Sequence, residues 1–152
     1  MDSSSGNRLW QQSQRRFSGQ VLDPHFEQVC RHWTRYMAPL DLFAGHPNLV
    51  AGGTITDPAG KASHEVDVAV LGLEDDNRRP LLAVGEAKWG EVMGLGHLDR
   101  LRRIRDLLTR QNRYGAEAAK LVCFAGPGFS DELLAAADDD MDIVLITPAD
   151  LY

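Results

Sequence analysis

Glu65-Val66-Asp67-Val68-Ala69-Val70-Leu71 and Leu81-Leu82-Ala83-Val84-Gly85-Glu86-Ala87-Lys88 are two apolar runs, each interrupted by charge and joined by a short polar loop, Glu74 to Arg79. Read as the strands of one hairpin with a loop centred between Asp76 and Asn77, they set Asp67 opposite Glu86. Directly opposed residues of an antiparallel pair project from one face, with Cβ atoms about 4.5–5.5 Å apart. Lys88 lies two residues beyond Glu86 and shares that face. A one-residue slip or a bulge would carry Asp67 away from it. Both runs are apolar on either face, as central strands are. A carboxylate inside such a strand is costly unless it is paired or holds a metal. Two carboxylates and an ammonium on one patch can hold a divalent ion and a water beside a phosphodiester.

The length of 152 residues supports one domain with a substantial core. Apolar residues make up 43% and charged residues 25%, the balance of an ordinary globular domain. The net charge of −6 excludes a generally basic nucleic-acid coat, so any nucleic-acid contact has to come from a local patch. Cys30 and Cys123 show neither metal-site spacing nor a disulfide pattern, which suits a reducing, cytoplasmic setting. No secretory signal is expected at the N-terminus, and no apolar run reaches the length of a membrane span.

Residues 1–20 read as a disordered or loosely helical leader, with Trp10 and Phe17 as isolated anchors, and 21–152 as the folded domain. Asp23-Pro24 has the form of an N-cap followed by proline at the first helical position. Phe26, Val29, Cys30, Trp33 and Met37 follow at helical spacing, and Pro39 closes the helix. A first strand is expected from Leu49 to Thr56, with a bulge or a close backbone contact at Gly52-Gly53. The hairpin is expected over His64–Leu73 and Pro80–Trp89, and a long helix from Leu95 to Arg113 with Leu98, Leu101, Ile104 and Leu108 inward. A strand at Lys120–Ala125, a helix at Asp131–Ala137 capped by Ser130, and a strand at Asp142–Thr147 complete an α-β-β-β-α-β-α-β order. The alternating second half predicts an α/β fold with a mixed central sheet flanked by helices.

An Asp on one strand, Glu-x-Lys on the next and an acidic residue on a preceding helix resemble the PD-(D/E)XK nuclease superfamily, with Val66 where the proline of its name would stand. The element order matches the restriction-endonuclease-like α-β-β-β-α-β core of that superfamily. From Phe17 onward the chain is also similar to the C-terminal nuclease-like domain of archaeal-type AAA+ ATPases. The matching segments are Phe26-Glu27 with Cys30-Arg31, Glu65-Val66-Asp67, Gly85-Glu86-Ala87-Lys88-Trp89, Gly128-Phe129-Ser130 and Val144-Leu145-Ile146. The ATPase module and winged helix that accompany the domain in that family are absent from this chain.

The resemblance implies Asp67 and Glu86 as ligands of Mg²⁺, with Mn²⁺ as a substitute, and the backbone carbonyl of Ala87 completing the shell. It implies that Lys88 orients the attacking water, and that Glu27 on the first helix reaches the site as a supporting group or a ligand of a second metal. The partners it implies are DNA and an AAA+ ATPase, acting in trans or lost from the same chain. The activity expected is metal-dependent DNA hydrolysis; the alternative is a catalytically silent docking or DNA-binding module of an ATPase system.

Other constellations read as structural. Glu65 is expected to oppose and pair with Lys88, and His64 to be a surface residue. Arg100, Arg102, Arg103, Arg105, Arg110 and Arg113 make the long helix basic. Asp99–Arg103 and Asp106–Arg110 are spaced as favourable i, i+4 pairs. Arg102, Arg103, Arg110 and Arg113 fall on the face opposite the leucines, so a solvated, salt-bridged face is expected; the alternative is a basic patch for DNA, with partial phosphate contact. Gly53 to Lys61 lacks the spacing of a phosphate loop, and Asp138-Asp139-Asp140 lacks that of a calcium loop.

Overall fold

The computed structural model describes residues 23–152; the expected leader and capping by the Asp23 side chain lie outside what is described. The elements are α1 (Asp23–Tyr36), β1 (Leu49–Asp57), β2 (Ala62–Leu71), β3 (Leu81–Lys88), α2 (Leu95–Arg110), a 3₁₀ turn (Ala116–Ala118), β4 (Lys120–Ala125), α3 (Asp131–Asp139), β5 (Ile143–Ile146) and α4 (Pro148–Leu151). The strands form one sheet in the order β1-β2-β3-β4-β5. β1, β2 and β3 pair antiparallel, while β4 and β5 continue parallel to β3. The chain is thus α/β, with a mixed sheet between helices.

Helices cover both faces because the sheet is apolar on both. On one side Leu98, Leu101, Ile104 and Leu108 of α2 and Leu133 of α3 pack on Val84, Leu121, Cys123 and Ile143. On the other, Phe26, Cys30 and Trp33 of α1 and Leu151 of α4 pack on Val68, Val70, Ala83, Val122 and Phe124. Each such side chain contributes about 1.5–3 kcal/mol by leaving water. β3 is central to both layers: from Leu81 to Ala87 every residue is buried. Phe26 also meets Trp89, just beyond β3, with ring centroids 5.2 Å apart. Both elements not anticipated are short. Thr147 caps α4 through a box with Asp150.

The hairpin turns where its chemistry predicts. Asp76 and Asn77 both adopt positive φ, 51° and 62°, and Asp75 and Arg78 bond reciprocally around them. Two central residues with positive φ form the turn that matches strand twist. The ladder then runs Val70↔Ala83, Ala69↔Val84 and Val68↔Gly85, the register expected from a loop centred at Asp76 and Asn77. It carries Asp67 and Glu86 to the next facing positions.

At that point a bulge intervenes. β1 pairs Ala51 with Ala69 and then Gly53 with Val66, so Gly52 alone opposes Asp67 and Val68. The face alternation of β2 consequently switches: Val66 packs in the α2 layer, and Val68 and Val70 in the α1 layer. Gly52 is crowded, since a Cβ there would lie 3.3 Å from both Arg31 Nη1 and the backbone carbonyl of Asp67. Gly53 has open space where its Cβ would be. Gly52→Ala should therefore destabilise the fold by about 1–3 kcal/mol through overpacking. Gly53→Ala should be neutral or stabilise it by up to about 1 kcal/mol through the unfolded state. Urea melts of both variants check the difference in sign.

Candidate functional site

β3 stays paired with β4 through Glu86↔Cys123, Ala87↔Phe124 and Lys88↔Ala125. Its ladder with β2 stops at Val68↔Gly85. Glu86, Ala87 and Lys88 therefore have an open flank towards β2, and a buried N–H on that flank needs an acceptor. The Asp67 carboxylate supplies it: Oδ2 accepts from the Ala87 N–H at 2.9 Å. The Asp67 carbonyl is held in turn by Arg31 Nη1 at 2.9 Å.

Glu86 follows Val84 on the face covered by α2. Only 6% of it is exposed. Its Oε1 faces two cations, Arg100 Nη1 at 3.3 Å and Lys88 Nζ at 3.7 Å. Its Oε2 is buried without a hydrogen-bond partner. Leaving such an atom unsatisfied costs about 1–3 kcal/mol or more for a charged group, so it needs an explanation. The expected trio is brought together in part. Glu86 and Lys88 touch, while Asp67 reaches the peptide between them from the neighbouring strand rather than aligning by simple alternation.

Glu27 lies where α1 passes β1 and β2, 3.9 Å from Arg31 Nη1. With Gly52, Gly53, Thr54, Glu65, Val66 and Asp67 it lines an open cleft of about 220 Å³. Glu65 does not take Lys88; its side chain is exposed, and its carbonyl accepts from Arg100 Nη2 at 2.7 Å. His64 lines a different groove, with Arg103, Asp106 and Arg110. Neither i, i+4 pair expected on α2 forms among the described residues. Arg102 instead meets Asp99 at 3.8 Å and Asp140 at 3.9 Å. Arg105 reaches the Ala119 carbonyl at 3.1 Å and Asp142 at 3.5 Å.

Arg100, named in the sequence only as one arginine of a basic helix, is a residue of the site. One signal was available: Arg100 and Arg105 are the two arginines of α2 that do not fall on its outer face; Arg100 reaches β2 and β3, and Arg105 the residues that precede β4 and β5.

The site can be tested against the ion expected there. Among the described residues no three His, Cys, Asp or Glu side chains gather into a ligand group. Mg²⁺ does not require one, because it keeps several waters and binds through one or two carboxylates plus substrate phosphates. The bare Oε2 of Glu86 and the Asp67 carboxylate on the facing strand suit that donor set. The region past β3 is also firmly built. Met93 N–H donates to the Gly128 carbonyl at 3.1 Å, and Ser130 N–H to the Met93 carbonyl at 2.9 Å. The Ser130 hydroxyl caps α3 by accepting from the Leu133 N–H at 3.2 Å.

Two buried thiols report on the carboxylates from opposite layers. Burial, and then the charge of Asp67, pushes the Cys30 thiol well above its usual range. Burial, and then the charge of Glu86, pushes the Cys123 thiol from 9.0 up to about 12. A raised folded-state value leaves stability intact below the unfolded pKa and removes it as pH rises towards the folded one. Wild type should therefore lose stability between about pH 8 and about pH 10.5 more steeply than Cys123→Ala does, a difference read from urea melts at both pH values.

No protein-family model, curated protein or solved structure matches this chain.

Proposed function

We propose that the chain is a metal-dependent phosphodiesterase domain acting on DNA, with the restriction-endonuclease-like topology of PD-(D/E)XK nucleases. The observation that carries this reading is the unpartnered, buried Oε2 of Glu86, beside Lys88, with the Asp67 carboxylate accepting the N–H of the adjoining Ala87. The α-β-β-β-α-β order of α1 to β4 supports it. So does the position of Glu86 and Lys88 at the carboxyl end of a central strand, beside a parallel neighbour, where open α/β sheets place their ligands.

In this reading Asp67 and Glu86 hold Mg²⁺, or Mn²⁺ in its place, and the Ala87 carbonyl adds a donor. Bound there, the ion polarises a phosphoryl oxygen and lowers the pKa of its water. The chain's own residues do the positioning. The Ala87 N–H fixes the Asp67 carboxylate. Lys88 is about one-third exposed, so its ammonium reaches solvent, where it orients the attacking water and offsets charge growing on the phosphate. Glu27, which lines the cleft with Glu65 and Asp67, supports the site from α1.

A second reading has one observation in its favour. Lys88 and Arg100 already neutralise Glu86 without an ion, as they would in a silent docking or DNA-binding module serving an AAA+ ATPase.

Cleavage of plasmid and linear DNA with Mg²⁺ or Mn²⁺ separates the two. Activity should vanish with EDTA and fall at least about a hundredfold in Glu86→Ala and Lys88→Ala, and Glu27→Ala should do less damage. Asp67→Asn is the informative silent variant, because its amide oxygen still accepts the Ala87 N–H. No cleavage under any metal condition would favour the docking module.

Melting gives a readout that needs no substrate. An ion that binds the folded state adds about 2.7 kcal/mol at a hundredfold excess over its Kd. The Tm of wild type should rise with Mn²⁺ and that of Asp67→Asn should not. Equal shifts in both proteins would remove the proposed site.

A further inference from the structure

Arg100 divides its guanidinium in an unusual way. A guanidinium paired with a carboxylate for stability alone favours the two-pronged contact, one nitrogen on each oxygen. Here Nη1 faces Glu86 Oε1 at 3.3 Å, while Nη2 donates 2.7 Å away to the Glu65 carbonyl of β2. Lys88 crowds the same Oε1 at 3.7 Å, and Oε2 is left bare. Two cations thus share one oxygen, and the other, buried, has no partner. The Arg100 side chain remains 31% exposed, so its guanidinium is at the mouth of the site rather than sealed within it.

Electrostatics makes this arrangement conditional. Without an ion, Arg100 supplies charge that the buried Glu86 needs. A divalent ion arriving at Oε2 meets Arg100 as a like charge on the same carboxylate, and the repulsion weakens both bonds to Glu86. A phosphodiester entering with the ion offers the guanidinium a better partner, since its planar fork matches phosphate oxygens. The contact to the Glu65 carbonyl keeps the arginine close while Nη1 is free to move.

We propose that Arg100 is a phosphate-binding residue held in reserve: it occupies Glu86 in the metal-free protein and transfers to the substrate phosphate as the cation binds. This rests on the metal-dependent phosphodiesterase reading. It adds that ion and nucleic acid bind cooperatively through one arginine.

Calorimetric titration of Mn²⁺ alone into wild type and Arg100→Gln tests the competition. Removing the guanidinium should tighten Mn²⁺ binding by roughly tenfold. Binding detectable only in Arg100→Gln would also support the proposal. Equal or weaker binding in Arg100→Gln would overturn it while leaving the metal site standing. No Mn²⁺ binding in either protein would overturn the metal reading and this inference with it.

Phenylglyoxal labelling of wild type, read by peptide mass spectrometry, avoids any folding defect of the variant. Arg100 should label faster with Mn²⁺ than in EDTA, and should become protected when a DNA duplex is added in Ca²⁺. Labelling of Arg100 that is indifferent to both additions would overturn the transfer.

Discussion

A single hydrogen bond organises the centre of this molecule, the one from the Ala87 N–H to the Asp67 carboxylate at 2.9 Å. It exists because β2 stops pairing with β3 one residue short of Glu86, while β4 remains paired with β3 through Lys88. A side-chain carboxylate then does what a strand carbonyl would have done. The bulge at Asp67 and Val68 makes this possible, and Gly52 makes the bulge possible by leaving room for Arg31 to hold the Asp67 carbonyl. On the other layer Arg100 closes the same gap, bonding to the β2 backbone at Glu65 and to the β3 side chain of Glu86. The strands part at this point but stay tethered by charged side chains.

The opening changes the cost of the buried charge. Glu86 lies among the buried residues Leu81 to Ala87, all the others apolar, where an isolated carboxylate would not be tolerated. Arg100 and Lys88 offset its charge without satisfying both of its oxygens. A purely structural ion pair gains nothing from such a defect, and burying it is seldom a route to stability. A site that takes up a cation and a phosphate gains a ligand atom already stripped of water. That asymmetry between Oε1 and Oε2 weighs the balance towards catalysis and away from docking.

Much of this was legible in the sequence, for identifiable reasons. Asp76 and Asn77 tolerate positive φ, so the turn and with it the register could be read from the loop. The leucines of α2 and the cap at Ser130 announced their helices. What escaped depended on a third partner. The bulge is a relation between β1 and β2, and Gly52-Gly53 marked its place without saying which face would switch. Arg100 could not be distinguished from the other arginines of α2 by helical pairing rules, because its partners, Glu65 and Glu86, lie in the sheet. The expected Glu65–Lys88 pair assumed a ladder that continued past Gly85, and the ladder does not.

The central claim is that the gap between Asp67 and Glu86 receives a divalent ion. A crystal grown with Mn²⁺, with data collected at a wavelength where manganese scatters anomalously, tests it most directly. The account predicts one strong anomalous peak bonded to Glu86 Oε2 and the Asp67 carboxylate. A peak elsewhere, or none at saturating Mn²⁺, would contradict it.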